Sequence, residues 1–186
     1  MERDPEPRDA RRARIVELGG GAGRNLDFFG ERLGDVASFE LVDLCPALLP
    51  ARIARHPQVR MVEADATTWR SDAPADCVYF SYSLTMIPDW RAALANALAM
   101  LKPGGLIGAV DFYTSTARPE PGLVRHDAFT RHFWPRWFAH DGVRLDPAHL
   151  AALREHLPRH ELAEHRAAVS CLPLLRAPYY VFVGRH

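Results

Sequence analysis

Between Arg14 and Leu101 short apolar runs alternate with stretches whose apolar residues recur at helical spacing, a rhythm that predicts a parallel sheet with helices in its crossovers. Ala13–Leu18, Ser38–Asp43 and Val59–Glu63 read as the first three strands, Asp76–Leu84 as the fourth and Leu106–Tyr113 as the fifth. A helix from Asn25 to Leu33 would turn Leu26, Phe29 and Leu33 toward the sheet and end at Gly34. A second spans Cys45 to Arg55, and an amphipathic third reaches Leu101, where Lys102-Pro103-Gly104-Gly105 should stop it and reverse the chain. Pro119 and Pro121 then mark a loop, and Asp146 with Pro147 open a further helix. Ala167–Leu175 and Tyr179–Gly184 read as a closing antiparallel hairpin. The pattern therefore predicts one α/β domain, residues 13–186, behind a charged leader at 1–12 that is expected to be disordered. An insertion at about 116–160 carries Phe129, Phe133, Trp134, Trp137 and Phe138 around Pro135.

The first strand runs into Glu17-Leu18-Gly19-Gly20-Gly21-Ala22-Gly23-Arg24-Asn25. Gly19, Gly21 and Gly23 alternate, so the backbone can turn tightly and approach a ligand closely. A dinucleotide fingerprint starting at Gly19 would need glycine or alanine where Arg24 stands, and no Gly-Lys-Ser/Thr follows, so neither that fingerprint nor a P-loop is present. The second strand ends on Asp43, twenty positions beyond Gly23, where a doubly wound fold brings a carboxylate near a ribose. Asp43 as a plain cap for the following helix is the alternative.

Composition narrows the classes. The chain has 186 residues, 23 basic and 23 acidic, so there is no cationic footprint for nucleic acid. Only Lys102 is lysine, which makes single arginines weak signals. Cys45, Cys77 and Cys171 form no Cys-x-x-Cys pair, and His156, His160 and His165 lie in a polar stretch that reads as a solvated helix face. No metal is expected. With no signal peptide and no apolar run near the ~20 residues a membrane span needs, a cytoplasmic location is expected, with membrane contact at most peripheral.

Glu17-x-Gly19-x-Gly21-x-Gly23 resembles the first motif of class I S-adenosylmethionine-dependent methyltransferases. That resemblance implies a Rossmann-like, doubly wound sheet of seven strands and S-adenosylmethionine as cofactor. It places Glu17, Gly19, Gly20, Gly21, Gly23 and Asn25 at the glycine turn and Asp43 with Leu44 at the ribose. Asp65 with Ala66 would meet the adenine, and Ser81 with Tyr82 the methionine side. A narrower resemblance, over about Ile15 to Gly184, rests on longer strings. These are Leu41-Val42-Asp43-Leu44-Cys45-Pro46, Phe80-Ser81-Tyr82-Ser83-Leu84-Thr85-Met86-Ile87-Pro88-Asp89-Trp90, Val110-Asp111-Phe112-Tyr113, Phe133-Trp134-Pro135-Arg136-Trp137-Phe138 and Ala177-Pro178-Tyr179-Tyr180-Val181. They resemble the N-methyltransferase of betaine-lipid synthesis, which transfers three methyl groups to the amine of diacylglyceryl-homoserine. The class usually carries helices before the first strand. The charged leader therefore implies either a partner that closes the site, such as the aminocarboxypropyl transferase that makes the substrate, or a chain that starts elsewhere. Asp/Asn/Ser-Pro-Pro-Tyr, the mark of nucleic-acid N-methylation, is absent.

Methyl transfer to an amine needs positioning, desolvation and a route for one proton. Asp111 and Tyr113 stand at the rim of the fifth strand and, with Tyr82, are the candidate catalytic residues; a structural role for Asp111 stays open. Tyr82, Tyr113, Trp134 and Trp137 are candidates to face a methylated cation, although Trp134 and Trp137 could equally pack as a cover over the sheet. A lipid acceptor would bring Phe129, Phe133, Trp134 and Trp137 to the bilayer interface, with Arg131 and Arg136 at phosphate. The alternatives are a soluble small molecule or quinone as acceptor, or a non-catalytic binding partner with this fold.

Overall fold

A computed structural model describes residues 12–45, 56–169 and 172–186. Seven strands form one sheet in the order β3-β2-β1-β4-β5-β7-β6. They are β1 (Arg14–Leu18), β2 (Ser38–Asp43), β3 (Val59–Glu63), β4 (Ala75–Ser81), β5 (Leu101–Phe112), β6 (His160–Val169) and β7 (Leu172–Arg185). The first five run parallel, β7 lies antiparallel to β5, and β6 closes the edge antiparallel to β7. The strand order reverses between β1 and β4, and the crevice outside their carboxyl ends is where open α/β sheets take ligands.

The central strands β1 and β2 are buried along most of their length, as expected of a parallel sheet covered on both faces. On one face Val78, Phe80, Ile107, Ala109 and Phe182 pack under α2 (Trp90–Met100) and α4 (Ala148–His156). On the other, Ile15, Phe39 and Leu41 meet Leu26 and Leu33. Asp89 caps α2 by accepting from Ala92 N at 3.1 Å. Asn96 of α2 donates to Ala66 O and Trp69 O, at 2.9 and 2.6 Å, and so anchors the loop after β3.

Several boundaries differ from the sequence reading, each for a local reason. The helix after the glycine turn, α1 (Asn25–Phe29), stops early because Gly30 turns to φ 50°, and a 3-10 segment, Gly30–Asp35, brings Leu33 into the core. β4 ends at Ser81, since Tyr82 takes φ 53° and leads the chain out of the sheet. Lys102–Gly105 is a bulge inside β5: Ala75 pairs with Leu101, yet Cys77 pairs with Leu106. β6 begins at His160, so His160 and His165 belong to that strand, whereas His156 ends α4. The aromatic segment folds as helix α3 (Ala128–Ala139), with Pro135 inside it and Asp127 accepting from Thr130 N at 2.7 Å. The helix expected over Cys45 to Arg55 lies mostly outside the described residues.

Candidate cofactor cleft at the switch point

Gly19, Gly21 and Gly23 adopt φ of 76°, 49° and 62°, the left-handed values that favour glycine. The turn is tied to the end of β2: Gly19 N donates to Val42 O at 2.8 Å and Gly21 N to Asp43 Oδ2 at 2.7 Å. The other Asp43 oxygen accepts from Cys45 N at 2.9 Å. Asp43 thus shapes the turn as well as facing the cleft.

The cleft encloses about 490 Å³, within the range of small-molecule and cofactor sites. Gly19 forms its floor, Asp43 and Leu44 one wall, the Ala64–Thr67 loop a second, and Ser83 with Met86–Asp89 the third. Asp65 Oδ1 accepts from Thr67 N at 2.8 Å and Thr67 Oγ1 at 2.7 Å, bonds that hold its carboxyl below the usual range and keep it ionised. Ser83 Oγ donates to Leu18 O at 2.7 Å, fixing the wall over the end of β1. A Cβ on Gly19 would lie 2.5 Å from Ser83 Cβ, so turn and wall approach closely only because residue 19 has no side chain.

Of the expected cofactor residues, Gly19, Asp43, Leu44, Asp65 and Ala66 line this cleft. Gly20, Gly21 and Gly23 build the turn behind it. Glu17 is corrected to a supporting role: it is fully buried and accepts from Asn25 Nδ2 at 2.5 Å and Tyr79 Oη at 2.7 Å. Burial pushes its pKa up, against the lowering effect of those two bonds. Asn25 and Ser81 face the opposite side of the sheet, with Phe28 and Val181. Ser83, Met86, Ile87 and Pro88 escaped the sequence reading, which extended β4 through Leu84 and so assigned no cleft role to the residues that follow it.

The catalytic candidates separate. Asp111 is fully buried and accepts from Thr85 N at 3.1 Å, Thr85 Oγ1 at 2.8 Å and Phe112 N at 2.8 Å. It positions the loop after β4 rather than facing the cleft, which replaces the proton-acceptor expectation. Burial pushes its pKa up to about 6, although the Thr85 and Phe112 bonds favour the ionised form. Because the folded value exceeds the unfolded one, the favourable contribution is greatest at low pH and is lost as pH rises through the folded value. Wild type should therefore gain about 1 kcal/mol relative to Asp111→Asn between about pH 7.5 and pH 5, measurable as the difference in denaturant midpoint shifts.

Tyr113 is 2% exposed and touches a separate cavity, not the cleft. Tyr82 is 40% exposed, with its ring 4.9 Å from Phe112, which stacks on Phe138 at 4.7 Å. A tyrosine at positive φ is a strained arrangement that persists only where its surroundings enforce it. Trp134 is buried among Leu145 and Ala177 at 1% exposure, so it covers the sheet and cannot meet a cation or a bilayer. Phe129, Phe133 and Trp137 stack along α3 at 5.0 and 5.8 Å, with Phe129 and Trp137 exposed. Arg131 and Arg136 each donate through Nη1 to a backbone carbonyl near α3, those of His126 and His132.

The strand order, the glycine turn at the switch point and the carboxylate ending β2 define a class I methyltransferase fold. Residues 4–165 match the family model described as methyltransferase domain, and the chain belongs to that family. Among relatives, trans-aconitate 2-methyltransferase of Methylobacterium radiotolerans is 33% identical over 59% of this chain and 42% of its own length. The chain spans about half the length of the curated relatives it matches. The N-methyltransferase NodS of Bradyrhizobium japonicum superposes with a TM-score of 0.66 at 15% identity, covering 94% of this chain and 85% of NodS. The 1,6-didemethyltoxoflavin-N1-methyltransferase of Burkholderia thailandensis, solved with S-adenosylhomocysteine, superposes at 0.60 with 21% identity, covering 97% and 76%. S-adenosylmethionine is the cofactor of this class, and the cleft fits it: a floor with no Cβ at Gly19 and two carboxylates at Asp43 and Asp65. Among the described residues no helix is long and apolar enough to cross a membrane.

Proposed function

We propose that this chain catalyses methyl transfer from S-adenosylmethionine to an amine, and that the acceptor is diacylglyceryl-homoserine, trimethylated to the betaine headgroup. The observation that carries the amine reading is the partly open Tyr82–Phe112–Phe138 ring cluster, whose Tyr82 directly precedes the cleft residue Ser83 in the chain. The betaine-lipid acceptor rests on the sequence strings that run through those rings. When bound, the cofactor supplies a sulfonium methyl already activated for displacement. Asp43 and Asp65 would hold its ribose and adenine ends, so the protein's contribution is alignment and exclusion of water.

The acceptor must arrive as the neutral amine, and loss of water around it disfavours its protonated form. Asp111 is fully bonded to Thr85 and Phe112, so the released proton passes to solvent at the rim. After later transfers the headgroup is cationic, and each ring face is worth about 0.5 to 2 kcal/mol to it. Tyr82→Leu keeps an apolar side chain but removes the π face. It should lower kcat/KM for the third transfer, in which positive charge develops on the nitrogen, by about twofold to thirtyfold and let mono- and dimethylated lipid accumulate, as read by mass spectrometry.

Contact with the lipid surface falls to the exposed Phe129–Phe133–Trp137 stack. Substituting Phe129 and Trp137 together by alanine should abolish most co-sedimentation with anionic vesicles and leave thermal stability within about 1 kcal/mol, because these rings are exposed. The decisive assay supplies methyl-labelled cofactor with diacylglyceryl-homoserine vesicles, trans-aconitate or a demethylated quinol. Label in trimethylated lipid supports the proposal; label only in trans-aconitate or quinol overturns it.

A further inference from the structure

A second cavity of about 220 Å³ lies between the 115–123 segment and α4, and none of its lining residues belongs to the cofactor cleft. Tyr113, Ser115 and Arg118 form one side, Leu150 and Arg154 the other, and Glu120 closes the edge. The Tyr113 ring is held edge-on by His126 at 5.1 Å and by Tyr180 at 5.6 Å. The Arg154 guanidinium is fixed by an ion pair with Glu120 through Nη1. Yet Tyr113 Oη and Arg154 Nε are both buried and have no hydrogen-bond partner.

Buried donors are normally satisfied, so two unpartnered donors on one cavity call for an acceptor inside it. The space is several times the ~30 Å³ share of one water. Its charged lining is two guanidinium groups, Arg118 and Arg154, against the single carboxylate of Glu120, which favours an anion. Leu123, Pro147 and Leu150 add an apolar wall that suits alkyl carbon and disfavours a bare phosphate. A planar carboxylate matches both the guanidinium and a phenolic donor.

We infer that this cavity binds a short aliphatic carboxylate, its oxygens accepting from Tyr113 Oη and Arg154 Nε and its carbon chain lying on Leu150. In an amino-acid headgroup the amine lies two bonds from the carboxylate, and Tyr113 and Phe112 belong to different packing clusters on the two faces of β5, so the occupant is a free carboxylate and not the headgroup of an acceptor whose amine sits at the Tyr82–Phe112–Phe138 rings. The purified chain is titrated with L-homoserine, with glutarate and with homoserine lactone, which lacks the carboxylate. S-adenosylhomocysteine is titrated in parallel.

Homoserine or glutarate should bind saturably, the lactone should not compete, and Tyr113→Phe and Arg154→Gln should each weaken binding at least tenfold. Cofactor-product affinity should be the same in both variants. Tyr113→Phe removes a hydroxyl with no partner, so its ligand-free Tm should equal or exceed that of wild type. Homoserine should bind without competing with a lipid acceptor, and competition would overturn the assignment of a site separate from the acceptor's. The inference is overturned if folded wild type binds neither carboxylate, or if both variants bind as wild type does.

Discussion

Gly19→Ala should abolish measurable cofactor binding and destabilise the fold by about 2 to 5 kcal/mol, combining a left-handed residue with overpacking. Residue 19 sits at φ 76°, and an added Cβ would lie 2.5 Å from Ser83 Cβ. Relief would require Ser83 to move and give up its 2.7 Å bond to Leu18 O, opening the wall of the cleft. Gly21→Ala is the internal control: φ there is 49°, but nothing lies within 4 Å of the new Cβ. It should cost only the conformational part, about 1 to 2 kcal/mol. Thermal unfolding and titration with S-adenosylhomocysteine on the two variants check this, and equal losses would mean that the contact with Ser83 is unimportant.

Asp43→Ala should weaken cofactor binding by about 1 to 3 kcal/mol, roughly fivefold to 150-fold, while the chain stays folded. The loss has two parts. One is a carboxylate on the cleft wall; the other is the pair of bonds from Gly21 N and Cys45 N that fix the turn against β2. Asp43→Asn retains one acceptor oxygen for the turn and should fall between wild type and alanine. Calorimetric titration of the three proteins separates the parts, and an alanine variant as tight as wild type would remove Asp43 from the site.

Much of this was legible in the sequence because it is written in local patterns. β2 and β3 fall where their apolar runs begin and end, and the glycines mark the switch-point turn without reference to distant residues. Elements that depend on remote partners were not. β6 alternates inward and outward positions, but charged residues fill so many of them that His160 to His165 reads as a polar helix face. Asp111 looks like a free rim carboxylate until Thr85, twenty-six positions earlier, is seen to occupy it. Positive φ at Tyr82 has no sequence signal, so the apolar pattern carries β4 three residues past its end at Ser81 and hides Ser83 and Met86–Asp89 as a wall of the cleft. Trp134 and Trp137 are alike in sequence, and only the packing of α3 against Leu145 and Ala177 buries the first and exposes the second.

The most direct measurement is an amide chemical-shift titration of the labelled chain with S-adenosylhomocysteine. Saturable perturbations centred on Gly19, Leu44, Ala66 and Ser83, and reduced in Asp43→Ala, are the expected result. A folded chain that shows no saturable change, or changes confined to residues away from that cleft, would contradict the assignment of the cofactor site.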